Sequence, residues 1–237
     1  MKNIFRFKQF SVDQSGCGMK INTDGVLLGA LATVPGPERI LDIGAGTGVI
    51  SLMLAQRFPK SKVDAVEIDP SAAEAARGNF VSSPFADRLC LIEGSFQDYS
   101  TQPEAPAYNM IVSNPPFFLN SLKNPDHQKK LARHAEEGFF DALMQFAEKH
   151  LRLEGELWLI LPTEAADKTR NIAVSMGFHL TGSTEVKSFE ADLPHREVLV
   201  FSRKQKKKDT ASLIIYEAPK IYTKAYKELL RDFLIIF

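Results

Sequence analysis

Beyond residue 38 the chain alternates short runs of aliphatic and β-branched residues with longer stretches whose apolar positions recur at helical spacing. That alternation predicts a parallel sheet covered by helices on both faces. The strand-like runs are 39–43, 63–67, 89–93, 110–113 and 156–161. Between them the spacing predicts helices over 48–57, 70–82 and 138–151, followed by one over 163–176. Pro70 suits the first turn of its helix, where a missing N–H costs nothing, and Gly177 suits the stop of the last. Two further β-like runs, 178–186 and 197–201, flank a polar segment containing Pro194 and are expected to form an antiparallel edge.

The ends of the chain carry weaker patterns. Near the start, Asn22-Thr23-Asp24 offers an N-cap for a short helix running through 26–31. Near the end, 213–216 is a strand candidate, and Tyr222, Tyr226, Leu229, Leu230 and Phe233 fall on one face of a helix that would pack onto the core. The run Arg203-Lys204-Gln205-Lys206-Lys207-Lys208 between them reads as an exposed connection. The expected organisation is one domain over 1–237: an extension (1–38), a sheet-and-helix core (39–203), and a basic linker with a strand-helix tail (204–237).

Composition narrows the classes. With 237 residues, 44% hydrophobic and 24% charged, the chain can bury a full core. Its net charge is +0, so any nucleic acid must be met by a local patch rather than by bulk charge. Cys17 and Cys90 offer neither a disulfide framework nor zinc spacing, which fits a reducing cytoplasm. The first residues are interrupted by charge too often for a signal peptide, and no apolar run reaches the length of a membrane span. A soluble, cytoplasmic protein is expected.

Two motifs carry chemistry. The first is Leu41-Asp42-Ile43-Gly44-Ala45-Gly46-Thr47-Gly48, a glycine loop at the end of a strand. A dinucleotide fingerprint G-x-G-x-x-G would need glycine at position 49, where this chain has Val49. The spacing of Gly44, Gly46 and Gly48 instead resembles the first motif of S-adenosylmethionine (SAM) methyltransferases. In that setting the glycines let the backbone approach the cofactor's methionine part, and Asp42 faces its amino group. A plain strand-to-helix turn is the alternative. Glu67 ends the second strand about twenty residues beyond the glycines, where an acid can accept both ribose hydroxyl protons. Ile68 would cover one face of the adenine and Phe96 the other. Asp69 reads as the cap of the helix that Pro70 opens.

The second motif, Ser113-Asn114-Pro115-Pro116-Phe117, follows the fourth strand at the edge where open α/β sheets bind ligands. An exocyclic amine is a poor nucleophile because its lone pair is delocalised into the ring. If the Asn114 side-chain oxygen and the Pro115 carbonyl each accept one amine hydrogen, the nitrogen pyramidalises and its lone pair is freed. The prolines, Pro115 and Pro116, hold that carbonyl in place, and Phe117 or Phe118 can stack on the base. A loop whose prolines merely end a strand is the alternative.

This pair of motifs is shared by methyltransferases of adenine amines, guanine amines and the glutamine amide of release factors. The run 19–30 (MKINTDGVLLGA), the second aromatic Phe118, Ala132-Arg133-His134-Ala135 and the tail 213–233 resemble the bacterial tRNA (adenine-N(6))-methyltransferase family, whose members act on adenine 37 in the anticodon loop of a valine tRNA. The resemblance covers nearly the whole chain. It implies an α/β, Rossmann-like SAM-dependent methyltransferase fold, a mostly parallel seven-stranded sheet with an antiparallel edge, and SAM and tRNA as ligands. It further implies that Lys20 and Thr23 border the active site and that Arg133 and His134 meet RNA backbone, with a helix cap and a solvated loop as their respective plain roles. Ser95 stands where methyltransferases often carry Asp; a serine there can still bond the cofactor adenine. The rival readings are a ribosomal RNA guanine-N(2) methyltransferase, a protein glutamine-N(5) methyltransferase and a non-catalytic SAM- or RNA-binding module. His134-Ala135-Glu136 matches the H-x-E of zinc deaminases, but no P-C-x-x-C follows, and no metal is expected.

Overall fold

The computed structural model describes residues 3–15, 20–102, 105–115 and 125–237, and the side chains of all of these except 125–137. The chain opens with a hairpin of β1 (Ile4–Arg6) and β2 (Ser11–Asp13), which the apolar pattern did not predict because its strands are only three residues long. Helix α1 (Thr23–Leu31) follows, capped by the Asn22 side chain, which accepts from the Gly25 N–H. Then come β3 (Arg39–Ile43), α2 (Val49–Arg57), β4 (Lys62–Glu67), α3 (Pro70–Val81), β5 (Leu89–Glu93), the short α4 (Phe96–Ser100) and β6 (Tyr108–Ser113). Helix α5 (Pro125–His150) starts well before its predicted first residue, 138. Its first half is rich in charge and poor in apolar stripe, so periodicity alone misses it.

Strand β7 (Leu151–Pro162), α6 (Thr163–Ser175), β8 (His179–Lys187), β9 (Arg196–Ser202) and β10 (Asp209–Ile214) complete the main sheet. A small hairpin, β11 (Tyr216–Ala218) and β12 (Ile221–Tyr222), leads into α7 (Lys224–Leu230). Tyr222 therefore lies in a strand and not in the helix the spacing suggested.

The main sheet has eight strands in the order β10-β8-β9-β7-β6-β3-β4-β5, one more than the seven expected. Strand β10 pairs parallel with the outer edge of β8, from Asp209 opposite Gly182 to Ile214 opposite Lys187, and so covers an edge that would otherwise present unpaired backbone. Only β9 runs against the others, paired antiparallel with both β7 and β8. Alternate residues feed two cores. Ile40, Val63, Ala65, Met110 and Val112 face α1, α2 and α7, whereas Leu41, Ile43, Val66, Ile111 and Leu159 face α5 and α6. Because Leu41 and Ile43 take one face, Asp42 is turned to the other, toward α2.

The hairpin and the tail are tied together. Phe7 and Phe10 are buried and stacked at 4.4 Å, the Lys8 N–H donates to the Phe233 carbonyl at 2.8 Å, and Phe7 bridges to Leu234. No helix among the described residues is long and apolar enough to cross a membrane.

Candidate active site

The site lies where β6, β3 and β4 end side by side, so the Asn114 segment and Glu67 flank the glycine loop, each about 5 Å of strand spacing away. The loop leaves β3 through two backbone bonds, the Gly44 and Ala45 N–H groups donating to the Val66 carbonyl at 2.9 and 3.1 Å. Gly46 has φ +56, and a Cβ built on it would meet no atom within 4 Å: it borders open space. Gly48 has φ +82 and caps α2, and a Cβ there would come within 2.4 Å of the Phe80 ring. Gly46 thus keeps a surface clear for a ligand, while Gly48 lets α3 pack against the loop.

Glu67 is 7% exposed, and both carboxylate oxygens are engaged: Oε2 accepts from the Gly46 N–H at 2.7 Å and Oε1 from the Asp69 N–H at 2.8 Å. A carboxylate oxygen has two acceptor positions, so each retains one for a hydroxyl donor such as a ribose diol. Ile68, the next residue, is 69% exposed at the strand end, an apolar surface placed to meet a flat ring.

Asp42 is fully buried. Its Oδ2 accepts from the Ser51 hydroxyl at 2.6 Å and the Ser51 N–H at 3.1 Å, while Oδ1 has no hydrogen-bond partner among the described residues. Burial pushes its pKa from 3.8 up to about 7; the two Ser51 bonds oppose the shift and the nearby Glu67 charge adds to it. A buried carboxylate with one orphaned oxygen suits a cationic amino donor. Asn114 is half-buried, and its Oδ1 likewise has no hydrogen-bond partner among the described residues. An amide oxygen left without a donor is costly unless a ligand supplies one. The Ser113 hydroxyl donates to the Ile43 carbonyl at 2.8 Å and fixes the ends of β6 and β3 relative to each other. Pro115 is buried.

Helix α1 roofs this corner. A Cβ built on Gly25 would lie 3.5 Å from Val49 Cγ1 and 3.8 Å from the Asn114 amide nitrogen, so the α1 backbone runs close beside Asn114. Thr23 and Lys20 are both exposed at its start. Asp24 pairs with Arg196 Nε at 2.8 Å, which ties α1 to the beginning of β9.

Not every residue expected at the site is placed for its expected role. Phe96 is 6% exposed and lies edge-on to Phe139 and Phe146, so its ring is committed to the core and does not stand free to cover an adenine. The Ser95 hydroxyl accepts from the Asp98 N–H at 3.0 Å and donates to Asp98 Oδ2 at 2.7 Å; it caps α4 and has spent its proton. Arg133 and His134 lie on helix α5 and not in a loop, with their side chains outside the described residues, and Pro116, Phe117 and Phe118 lie outside them altogether. In the basic run, Lys204 pairs with Glu154, and Lys206 pairs with Glu156 at 2.8 Å, so this connection is anchored to β7 instead of standing free.

Three supporting residues have no motif signature: Ser51, Arg196 and Asn79. Asn79 is buried; its amide donates to the Thr47 and Asp13 carbonyls at 3.0 and 3.1 Å, and its oxygen accepts from the Asp13 N–H at 2.8 Å. It joins the glycine loop, α3 and the amino-terminal hairpin. Only the tertiary fold brings these groups together, so spacing along the chain gives no hint of them.

The model of the family described as the methyltransferase small domain matches residues 22–178. A tRNA1(Val) (adenine(37)-N6)-methyltransferase of Pedobacter heparinus is 45% identical over 237 residues, covering 100% of both chains. Among solved structures, a predicted O-methyltransferase from Agrobacterium tumefaciens superposes with a TM-score of 0.71 at 20% identity, covering 89% of this chain and 96% of the other. The glycopeptide N-methyltransferase MtfA complexed with SAM gives a TM-score of 0.57 at 16% identity, over 78% of this chain and 100% of that one. The two structural likenesses speak to the fold.

Proposed function

The chain belongs to the tRNA1(Val) (adenine(37)-N6)-methyltransferases within the methyltransferase small-domain family, and from that premise we propose that it methylates N6 of adenine 37 in a valine tRNA, with Asn114 as the residue that grips the reacting amine. The observation that carries the residue assignment is the pair of orphaned oxygens, Asp42 Oδ1 near the end of β3 and Asn114 Oδ1 just after the neighbouring β6, beside a glycine loop whose outer face is clear among the described residues.

SAM, when bound, supplies a methyl group activated by its sulfonium. Everything else is positioning by this chain. Glu67, held rigid by two backbone N–H groups, accepts the ribose hydroxyls; Ile68 lies against the adenine; Asp42 Oδ1 accepts from the cofactor's ammonium. Asn114 Oδ1 and the Pro115 carbonyl each accept one hydrogen bond from the target amine, which draws its lone pair out of conjugation and aims it at the methyl carbon; as the N–CH3 bond forms, the S–CH3 bond would break and leave its electron pair on the sulfur. Alignment supplies most of the rate, and the product nitrogen can shed its extra proton to water, so no strong base is needed. An anticodon-loop adenine is unpaired, so seating it costs little unstacking energy. The reaction takes place wherever tRNA is found, in the cytoplasm.

The test is incubation with methyl-labelled SAM and total RNA lacking the modification, followed by size separation and mass analysis of nucleosides. N(6)-methyladenosine in the tRNA fraction is expected. Methylguanosine in ribosomal RNA, or label in protein alone, would overturn the reading.

A further inference from the structure

The net charge of +0 conceals a division of the chain. Residues 203–237 hold nine lysines and arginines against four acids, so this segment carries +5 while residues 1–202 carry −5. The fold brings part of that charge to the catalytic edge. Strands β10 and β6 run in the same direction, so the carboxyl end of β10 lies on the edge that carries Asn114, four strand spacings away, about 19 Å. There the Thr223 N–H donates to the Ile215 carbonyl at 3.0 Å, and the Thr223 hydroxyl oxygen accepts from the Tyr226 N–H at 3.1 Å and caps α7, which then descends with Tyr226 and Leu230 buried. Its lower end is fastened where Gln56 donates to the Asp232 carbonyl at 2.8 Å.

The outward face of this element combines cations with bare apolar surface. Lys220, Lys224, Lys227 and Arg231 are exposed, as are Ile221 (52%) and Ile236 (69%). Lys220, Ile221, Lys227, Arg231, Ile236 and Phe237 line a cleft of about 420 Å³, together with Tyr222 and one acid, Glu228. Lys220 and Lys227 stand in no ion pair among the described residues, and the pairs Lys224–Glu228 (3.8 Å) and Arg231–Asp232 (3.7 Å) are long and exposed, hence readily exchanged for phosphate. The platform is stiff, with Tyr216, Tyr222 and Tyr226 stacked at 5.0 and 5.1 Å. Lys220 also occupies the turn position with φ 67, where closure alone would favour glycine or asparagine.

We propose that this face of α7 and the β11–β12 turn is an RNA-docking surface that takes the phosphodiester backbone of the tRNA outside the modified loop. Lys220, Lys227 and Arg231 neutralise phosphates, and Ile221 and Ile236 lie against sugars. The inference rests on the tRNA reading above and adds to it the element of the fold on which the body of the RNA is held. This surface is distinct from the linker, where Lys204 and Lys206 are paired with acids of β7 while Arg203, Lys207 and Lys208 stand in no ion pair among the described residues.

The test compares the full-length protein with a Lys220→Gln/Lys227→Gln/Arg231→Gln variant, reading labelled-tRNA affinity by anisotropy across a salt series alongside tRNA methylation. All three side chains are exposed, so thermal midpoint and SAM affinity should not change. Affinity for tRNA at moderate salt should fall about tenfold and the salt slope by about 2, with kcat at saturating tRNA retained. An unchanged affinity and slope would overturn the proposal, as would a loss of slope confined to an Arg203→Gln/Lys207→Gln/Lys208→Gln variant of the linker. Wild-type protein that binds tRNA through this face yet forms no N(6)-methyladenosine would leave the docking surface standing and remove the catalytic reading.

Discussion

Replacing Gly48 and Gly46 by alanine should separate fold from function within one loop. At Gly48 the new methyl would meet the Phe80 ring at 2.4 Å, on a backbone with φ +82. Left-handed strain costs about 1 kcal/mol and overpacking a further ~1–3 kcal/mol, so Gly48→Ala should lose about 2–4 kcal/mol. For a chain of this size that lowers the thermal midpoint by roughly 4–16 °C. At Gly46 the methyl meets nothing within 4 Å, so only the strain remains, about 1 kcal/mol. That methyl, however, stands in the space where the proposed function puts the cofactor, and on that proposal SAM affinity should drop at least roughly tenfold, a cost on the order of 1.4 kcal/mol. Thermal unfolding gives the first quantity and calorimetric titration with SAM the second. Adding Phe80→Leu to Gly48→Ala should recover much of the overpacking and none of the strain. The reasoning is refuted if both alanine variants destabilise equally, or if Gly46→Ala binds SAM as wild type does.

Three further outcomes follow from the same geometry. Glu67→Gln replaces one of two acceptor oxygens by an NH₂ that faces a backbone donor, from either Gly46 or Asp69; SAM affinity should fall by roughly ten- to a hundredfold, checked by titration. For Asp42 the folded pKa stands above its ordinary 3.8, at about 7, so the stability it contributes is fully present below pH 4 and is lost as pH rises to about 7. Urea midpoints of the cofactor-free protein should decline over that window, and the decline should shrink in Asp42→Asn, whereas SAM affinity in the wild type should rise as the carboxyl ionises. Asp24→Asn weakens the partly buried pair with Arg196 and costs about 1 kcal/mol of stability; because α1 lies beside Asn114, kcat should fall several-fold at unchanged SAM affinity, measured by steady-state kinetics.

The sequence pattern made most of the sheet legible because fully buried strands such as β3 and β6 are short apolar runs bounded by turns, and because Asp69-Pro70 and Asn22 are local caps needing no tertiary context. The glycine loop and Glu67 were legible for the same reason: strand end and loop are contiguous in the chain. The apolar pattern places a strand at 213–216, whereas β10 begins at Asp209, because the first four of its residues, DTAS, form no apolar run and pair only because β8 leaves an edge open. Being placed after a strand says nothing about which way a side chain turns, so the sequence does not show that α4 turns the Phe96 ring inward and makes the Ser95 hydroxyl a cap. The pair Asp24–Arg196 spans 172 positions and the bridge from Asn79 to Asp13 spans 66, distances over which no motif operates.

The central claim is that Asn114 presents the amine to the methyl group and does not serve mainly to bind the cofactor. Single-turnover methylation of unmodified valine tRNA by Asn114→Ala, at SAM concentrations saturating by direct titration, tests it most directly. A rate lowered by about 10² to 10³ with SAM affinity within a few-fold of wild type is the expected result. A rate equal to that of the wild type, or a loss that saturating SAM fully restores, would contradict it.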